Sequence, residues 1–318
     1  MGRDTQLESN PSPFFEEFAE GLPLTVRASA TAGRGMYAAE EIAAGEVIQD
    51  AAPIVAHPTL NNIDKCCYLC LKYTQEGVRY YPDGVKSPAE GKLRPSFCSE
   101  ACALYAEDQF YGVEQQANWT KLVEHGREHG LRFPLLVARL ACMVLSEAAE
   151  PDVLRPLCFV KTDPTPPEWV EEHSIVYQAL RRSGQSDEAL RFLTLDWYVS
   201  VIARMHLNSF QVDIVRPLDP SDLFAAASDA AAGHGSAGSA VYLLPSMYNH
   251  SCEPSVDIHW PRDAIARFEA RRDIQEGEEL TITYIDASLP VETRQKHLEW
   301  AYGFRCQCQR CQDEKEPP

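Results

Sequence analysis

Nine of the eleven cysteines in this 318-residue chain fall into two groups, and no other feature limits its folding as strongly. Near the C-terminus, Cys306, Cys308 and Cys311 form a C-x-C-x-x-C run. Thiols packed this closely cannot all face one core, but a turn can aim them at one metal. A structural zinc takes four ligands in a tetrahedron, with Zn–S bonds of about 2.3 Å. The fourth candidate is Cys252, in the polar, turn-forming stretch MYNHSCEPS. Its residue type alone leaves three readings open: a nucleophile, a metal ligand, or a small buried side chain.

The second group is Cys66-Cys67-x-x-Cys70 followed by Cys98-x-x-x-Cys102. Cys67 and Cys70 have knuckle spacing, and Cys98 and Cys102 share a helix face, so the four predict a second zinc site. Cys66 is a possible substitute for Cys67. Cys142 lies on an apolar helical face and Cys158 in an apolar stretch, which predicts core positions for both.

In a reducing compartment eleven cysteines read as thiols or metal ligands rather than disulfides, and the sequence favours such a compartment. The start, MGRDTQLESNPSP, is polar and has no apolar signal core, and Gln6 breaks the myristoylation pattern. The longest apolar run, FPLLVARLACMVL, is too short for a membrane span and carries Arg139. The expectation is a cytoplasmic and/or nuclear monomer without a membrane. A net charge of -18 argues against nucleic-acid binding and suits a basic protein partner. GRG at Gly33 to Gly35 matches neither phosphate-loop nor dinucleotide spacing, which excludes those nucleotide-binding classes.

Short strands around glycine turns are predicted over residues 23 to 57, and apolar residues at three- and four-residue spacing predict helices from Ser99 to about Phe210. DPTPPEW reads as a loop breaking the helical region, and the small-residue tract 225–240 as a flexible surface insertion. Strands return in AIARFEARRDI and ELTITYI across a QEGE turn, and VETRQKHLEWAYGF reads as a short helix before the last cysteines.

In this order the motifs ATAGRGMYAAEEIAAGEVI, the cysteine insert, LNSF, PSMYNHSCEPS, GEELTITYID and AYGFRCQCQRC resemble a SET-domain protein lysine methyltransferase of the SMYD-like branch. The resemblance implies an α+β chain, a β-rich SET fold of small sheets with a knot-like crossing. The expected segments are an N-terminal SET part at 23–65, a reduced MYND-like zinc module at 66–102 and a helical insertion at 103–207. The SET core follows at 208–289, with a post-SET helix and zinc loop at 290–318. The resemblance makes Cys252 a ligand of the post-SET zinc rather than a nucleophile. Two structural zincs per chain are expected. The usual second zinc of a MYND module is missing, since 71–97 hold no Cys or His.

The implied chemistry is methyl transfer from S-adenosylmethionine to a lysine amine of a histone or other basic protein. Period-two alternation puts Leu280, Ile282 and Tyr284 on one face, and by resemblance Tyr284 is the catalytic tyrosine. Tyr302 and Phe304 resemble channel residues that also meet the cofactor. Asn249, His250, Ser246, Tyr248, Asn208 and Arg34 resemble its remaining contacts. Ala32 stands where the family often has a basic residue. The alternative is a catalytically weak SET/zinc protein acting as an interaction module. A zinc hydrolase is excluded, because two all-cysteine sites leave no open position.

Overall fold

The structure is a computed structural model and describes residues 13–29, 33–74, 95–159, 162–214 and 236–314. The glycine-punctuated start makes a hairpin: Leu24–Ser29 (β1) pairs antiparallel with Gly33–Ala38 (β2), Leu24 opposite Ala38. Leu24, Val26, Met36 and Ala38 are buried, so one face of the hairpin is core. Helix α1 (Pro13–Ala19) packs on β1. Val47–Ala51 (β3) follows a turn at Gly45, whose φ of 80° suits glycine.

The chain divides into two compact units. One holds the described residues up to Ala52 together with Tyr242–His259 and Ile265 onward. It contains β1, β2, β3, Asn249–His250 (β7), Val256–His259 (β8), Ala266–Ala270 (β9) and Glu279–Ile282 (β10). Its two sheets have the orders β1-β2-β10-β7 and β3-β9-β8. The expected QEGE turn precedes β10, with Gly277 at φ 80°. Val291–Ala301 is the expected helix before the last cysteines, and Gln309–Asp313 a further one.

The other unit holds Pro53–Val241 with Trp260–Ala264. Its sheet runs β4-β6-β5, from Val55–Pro58 (β4), Ser209–Val212 (β5) and Gly238–Val241 (β6). Its helices include α2 (Glu100–Ala106), which continues through a π-turn at Glu107–Tyr111 into α3 (Gly112–Glu114). α4 (Thr120–Glu128), α5 (Pro134–Leu145), α6 (Pro167–Arg182) and α7 (Leu195–Asn208) follow. α7 starts where the Thr194 side chain accepts from the Trp197 amide at 3.1 Å, an N-cap.

Two expectations need correcting. DPTPPEW is a loop only to Pro166, because Pro167 opens α6, where a missing N–H leaves no bond unmade. The tract 225–240 is not wholly a surface insertion. Residues 225–235 lie outside the described residues, but Ser236 and Ala237 are buried and Gly238–Val241 is the central strand of its sheet. Small residues are needed there because a Cβ on Gly238 would run into the His57 carbonyl and, at 2.8 Å, Leu71 Cδ1.

Arg139, in the longest apolar run, is 1% exposed. It pairs with buried Glu114 at 3.2 Å and donates to the Tyr68 carbonyl at 2.9 Å. A buried charge is tolerated only with such partners. The same guanidinium lies 4.1 Å from the Tyr68 ring, which fastens the Cys67–Cys70 loop to α5.

Candidate active site and metal centres

The NHSC segment takes its position from β10. Asn249 and His250 lie parallel to Thr281 and Ile282, and the Ser251 amide continues the ladder to the Ile282 carbonyl at 2.9 Å. Asn249 donates its side-chain amide to the Arg34 carbonyl at 2.9 Å and to Glu279 Oε1 at 2.7 Å. That joins NHSC to the glycine hairpin. Gly35 permits it, since a Cβ there would sit 2.8 Å from Asn249 Nδ2 and 2.5 Å from Glu279 Oε1.

After Ile282 the chain leaves the strand, so Tyr284 stands just beyond the alternating face rather than on it. Leu280 and Ile282 are buried, while Tyr284 is half-buried. Its amide donates to His250 Nδ1 at 3.0 Å, and its hydroxyl donates to the Tyr248 carbonyl at 2.5 Å. Tyr302 lies 4.9 Å from the Tyr284 ring and His250 5.4 Å from it. Phe304 completes the aromatic group, 6.1 Å from His250, and is 38% exposed. Burial, assisted by the Arg294 charge, lowers the His250 pKa to about 4, so the imidazole is neutral at pH 7.

The other residues named from the sequence take varied positions. Tyr248 is buried, stacked 5.0 Å from Phe268, and its hydroxyl accepts from Gln49 at 2.9 Å. What it offers the Tyr284 side is its carbonyl. Ser246 donates to the Tyr242 carbonyl at 2.5 Å. Arg34 lies 5.3 Å from the Phe15 ring. Asn208 belongs to the other unit, where its amide donates to the Arg204 carbonyl at 2.7 Å and that of Cys158 at 2.8 Å. Ala32 lies outside the described residues.

Cys252, Cys306, Cys308 and Cys311 converge, as do Cys67, Cys70, Cys98 and Cys102, with the sulfurs of each set within 4.8 Å of one another. Separations are 3.5 Å for Cys252–Cys311, 3.7 Å for Cys70–Cys98 and 3.5 Å for Cys98–Cys102. Four ligands at about 2.3 Å from a tetrahedral zinc stand about 3.8 Å apart, so the donor sets fit that ion. All eleven cysteines are free thiols. Cys66 is buried outside the Cys67/Cys70/Cys98/Cys102 set, and Ser99 Oγ accepts from the Cys102 amide at 3.1 Å, capping the helix that presents Cys102. Cys142 is fully buried and Cys158 half-buried.

Burial pushes the Cys252 thiol pKa up and that of Cys306 to about 11. A bound zinc reverses this, because it takes its sulfur ligands as thiolates. Buried Arg294 supplies compensating charge: its guanidinium lies 3.7 Å from Cys311 Sγ and 2.6 Å from Glu314 Oε2. Sequence reasoning passed over Arg294 and Glu279. A signal for Arg294 exists, since Val291, Arg294, Gln295 and Leu298 form one helical stripe that should be apolar.

Comparison with known proteins places the chain in a family. The SET-domain family matches residues 33–285, and the chain belongs to that family. Histone-lysine N-methyltransferase ATXR4 of Arabidopsis thaliana is 38% identical over 291 residues, covering 91% of this chain and 86% of the relative. A SET and MYND domain-containing protein of Dictyostelium discoideum is 27% identical, over 81% of this chain and 75% of its own length. SET domain and MYND-type zinc finger protein 6 of Schizosaccharomyces pombe is 25% identical over 89% of this chain and 50% of its own.

Proposed function

We propose that this chain is a protein lysine methyltransferase that moves a methyl group from S-adenosylmethionine to a lysine side-chain amine, with Tyr284 as its catalytic tyrosine. The observation that carries the reading is the placement of Tyr284. Its amide is held by His250, its hydroxyl proton goes to the Tyr248 carbonyl, and its ring stands among Tyr302, His250 and Phe304. The aromatic group fits the cofactor, because aromatic faces attract a sulfonium or methylammonium cation. S-adenosylmethionine supplies, when bound, a methyl group on a positively charged sulfur.

The chain's own residues do the rest. The Tyr284 hydroxyl proton is already donated, so its oxygen is left to accept from an amine N–H and orient the nitrogen lone pair. Removal from water disfavours the charged form of the amine, which unlike a sulfonium can shed its charge with a proton, and so favours the neutral, nucleophilic amine. Fixing the amine in line with the methyl group lowers the barrier further, an effect worth about 7 kcal/mol or more in well-oriented systems. Asn249, His250, Ser246, Arg34 and the backbone at Tyr248 form the proposed cofactor side, with Tyr302 and Phe304 lining the lysine channel. The two zincs are structural and take no part in the transfer.

A protein substrate follows from the activity, and the histone-lysine methyltransferase name of one relative supports a nuclear place of action. Among the described residues no helix is long and apolar enough to cross a membrane. The test compares methyl transfer from labelled cofactor into a basic protein extract by wild type and Tyr284→Phe. Label with wild type that drops at least tenfold in the variant supports the reading. No label from folded, zinc-loaded wild type would overturn it in favour of the interaction module.

A further inference from the structure

Both ring nitrogens of His250 are engaged inside the protein, and they reach toward different parts of the site. Nδ1 accepts from the Tyr284 amide at 3.0 Å, so the neutral ring carries its proton on Nε2. Nε2 lies 3.4 Å from Cys252 Sγ, close enough for an N–H···S hydrogen bond. Tyr284 stands past the end of β10. An amide there has lost its ladder partner and takes a side chain in its place. Cys252 stands two residues after His250 and is one of four sulfurs that fit a single metal.

We propose that the His250 imidazole is a positioning residue linking the Cys252/Cys306/Cys308/Cys311 metal centre to the backbone of Tyr284, so that occupancy of the centre sets the placement of the channel tyrosine. The assignment of Tyr284 rests on the methyltransferase reading above. The physical link is the strength of the N–H···S bond. A metal-bound thiolate accepts more strongly than a thiol, because a hydrogen bond to a charged acceptor is about twice as strong as a neutral one. A filled centre therefore holds the ring, and the ring holds the Tyr284 amide. With both nitrogens so engaged, any cofactor contact at His250 falls to its backbone or to the face of the ring.

Two substitutions separate the halves of the link. His250→Asn places an amide where Nδ1 stands and leaves the Nε2 position empty; His250→Gln carries its amide out toward Nε2 and gives up Nδ1. Three quantities are measured on the full chain: release of the C-terminal metal to a chelator, the thiolate-to-metal charge-transfer band after cobalt substitution, and hydrogen exchange at the Tyr284 amide. Partners of metal ligands are commonly worth about 10- to 100-fold in affinity. His250→Asn should release the metal faster by about that factor, shift the cobalt band and keep the Tyr284 amide protected. His250→Gln should hold the metal nearer the wild-type rate and expose the amide. In wild type, stripping the C-terminal metal should speed exchange at Tyr284, and in His250→Asn it should not.

Release and exchange that move together in both variants, or a Tyr284 amide indifferent to metal in wild type, would overturn the link. General unfolding would be recognised by loss of the second metal from the Cys67 centre. None of these readings needs turnover, so a wild type that transfers no methyl group would refute the proposed activity and leave this inference to be decided on its own.

Discussion

Gly35 shows how one hydrogen atom in place of a methyl can hold a site together. The Asn249 amide that ties NHSC to the hairpin occupies the space a Cβ would need, as does Glu279. Gly35→Ala must push both side chains aside, and overpacking of this kind typically costs about 1–3 kcal/mol. We expect a lower melting temperature and at least a tenfold loss in kcat/KM for the cofactor, measured by thermal melt and methyl-transfer kinetics. Glu172 poses a different single-residue problem. It is 0% exposed, accepts one hydrogen bond from the Tyr198 hydroxyl at 2.7 Å, and its Oε1 has no partner among the described residues. Burial raises its pKa from 4.5 to about 7. The folded state therefore holds a proton that the unfolded state releases above about pH 4.5. The protonated group's contribution is fully present below pH 4.5 and is lost as pH rises through about 7, a change on the order of 3 kcal/mol. Chemical denaturation at pH 5 and pH 8 should show this fall in wild type and a flatter profile in Glu172→Gln. Equal slopes would mean that Glu172 is ionised in the fold.

At the scale of elements, the two four-cysteine centres are independent supports, one in each compact unit. Cys98→Ser and Cys308→Ser should each lower bound zinc from two to one per chain by metal analysis. Only Cys308→Ser should also abolish methyl transfer directly, because its centre includes Cys252, two residues past His250. Equal zinc content in wild type and both variants would show that neither set binds the ion. These centres were legible in the sequence because metal ligation imposes fixed spacings on a residue type that is otherwise uncommon. The β10 alternation was legible for the same kind of reason, since burial on one face forces a period of two. The central strand β6 was not. Its glycine serves close approach, a demand set by the His57 backbone and the Leu71 side chain far away in sequence, and composition alone reads such a run as a flexible surface insertion. The start of α6 was missed because proline marks helix beginnings and loops alike. Glu172 could have been found. It lies three residues from Trp169 and four from Val176, on the stripe that α6 buries.

At the scale of the whole molecule, 47 acidic residues against 29 Lys and Arg make a field that acts before any contact forms. Long-range attraction of this kind speeds encounter with a cationic partner and leaves the bound geometry alone, so its mark falls on kcat/KM and not on kcat. Salt separates the two. The Debye length shrinks from about 10 Å at 0.1 M to about 3 Å at 1 M, which removes steering while buried contacts persist. With a lysine-rich substrate, kcat/KM should fall several-fold between low and high salt as kcat changes little. A substrate with one reactive lysine in an otherwise neutral segment should show a nearly flat profile. If both substrates respond alike, the charge of -18 serves solubility, and recognition rests on contacts along the proposed lysine channel. If only the lysine-rich substrate responds, the acidic surface selects basic proteins at the encounter stage, and the aromatic channel chooses the lysine after docking.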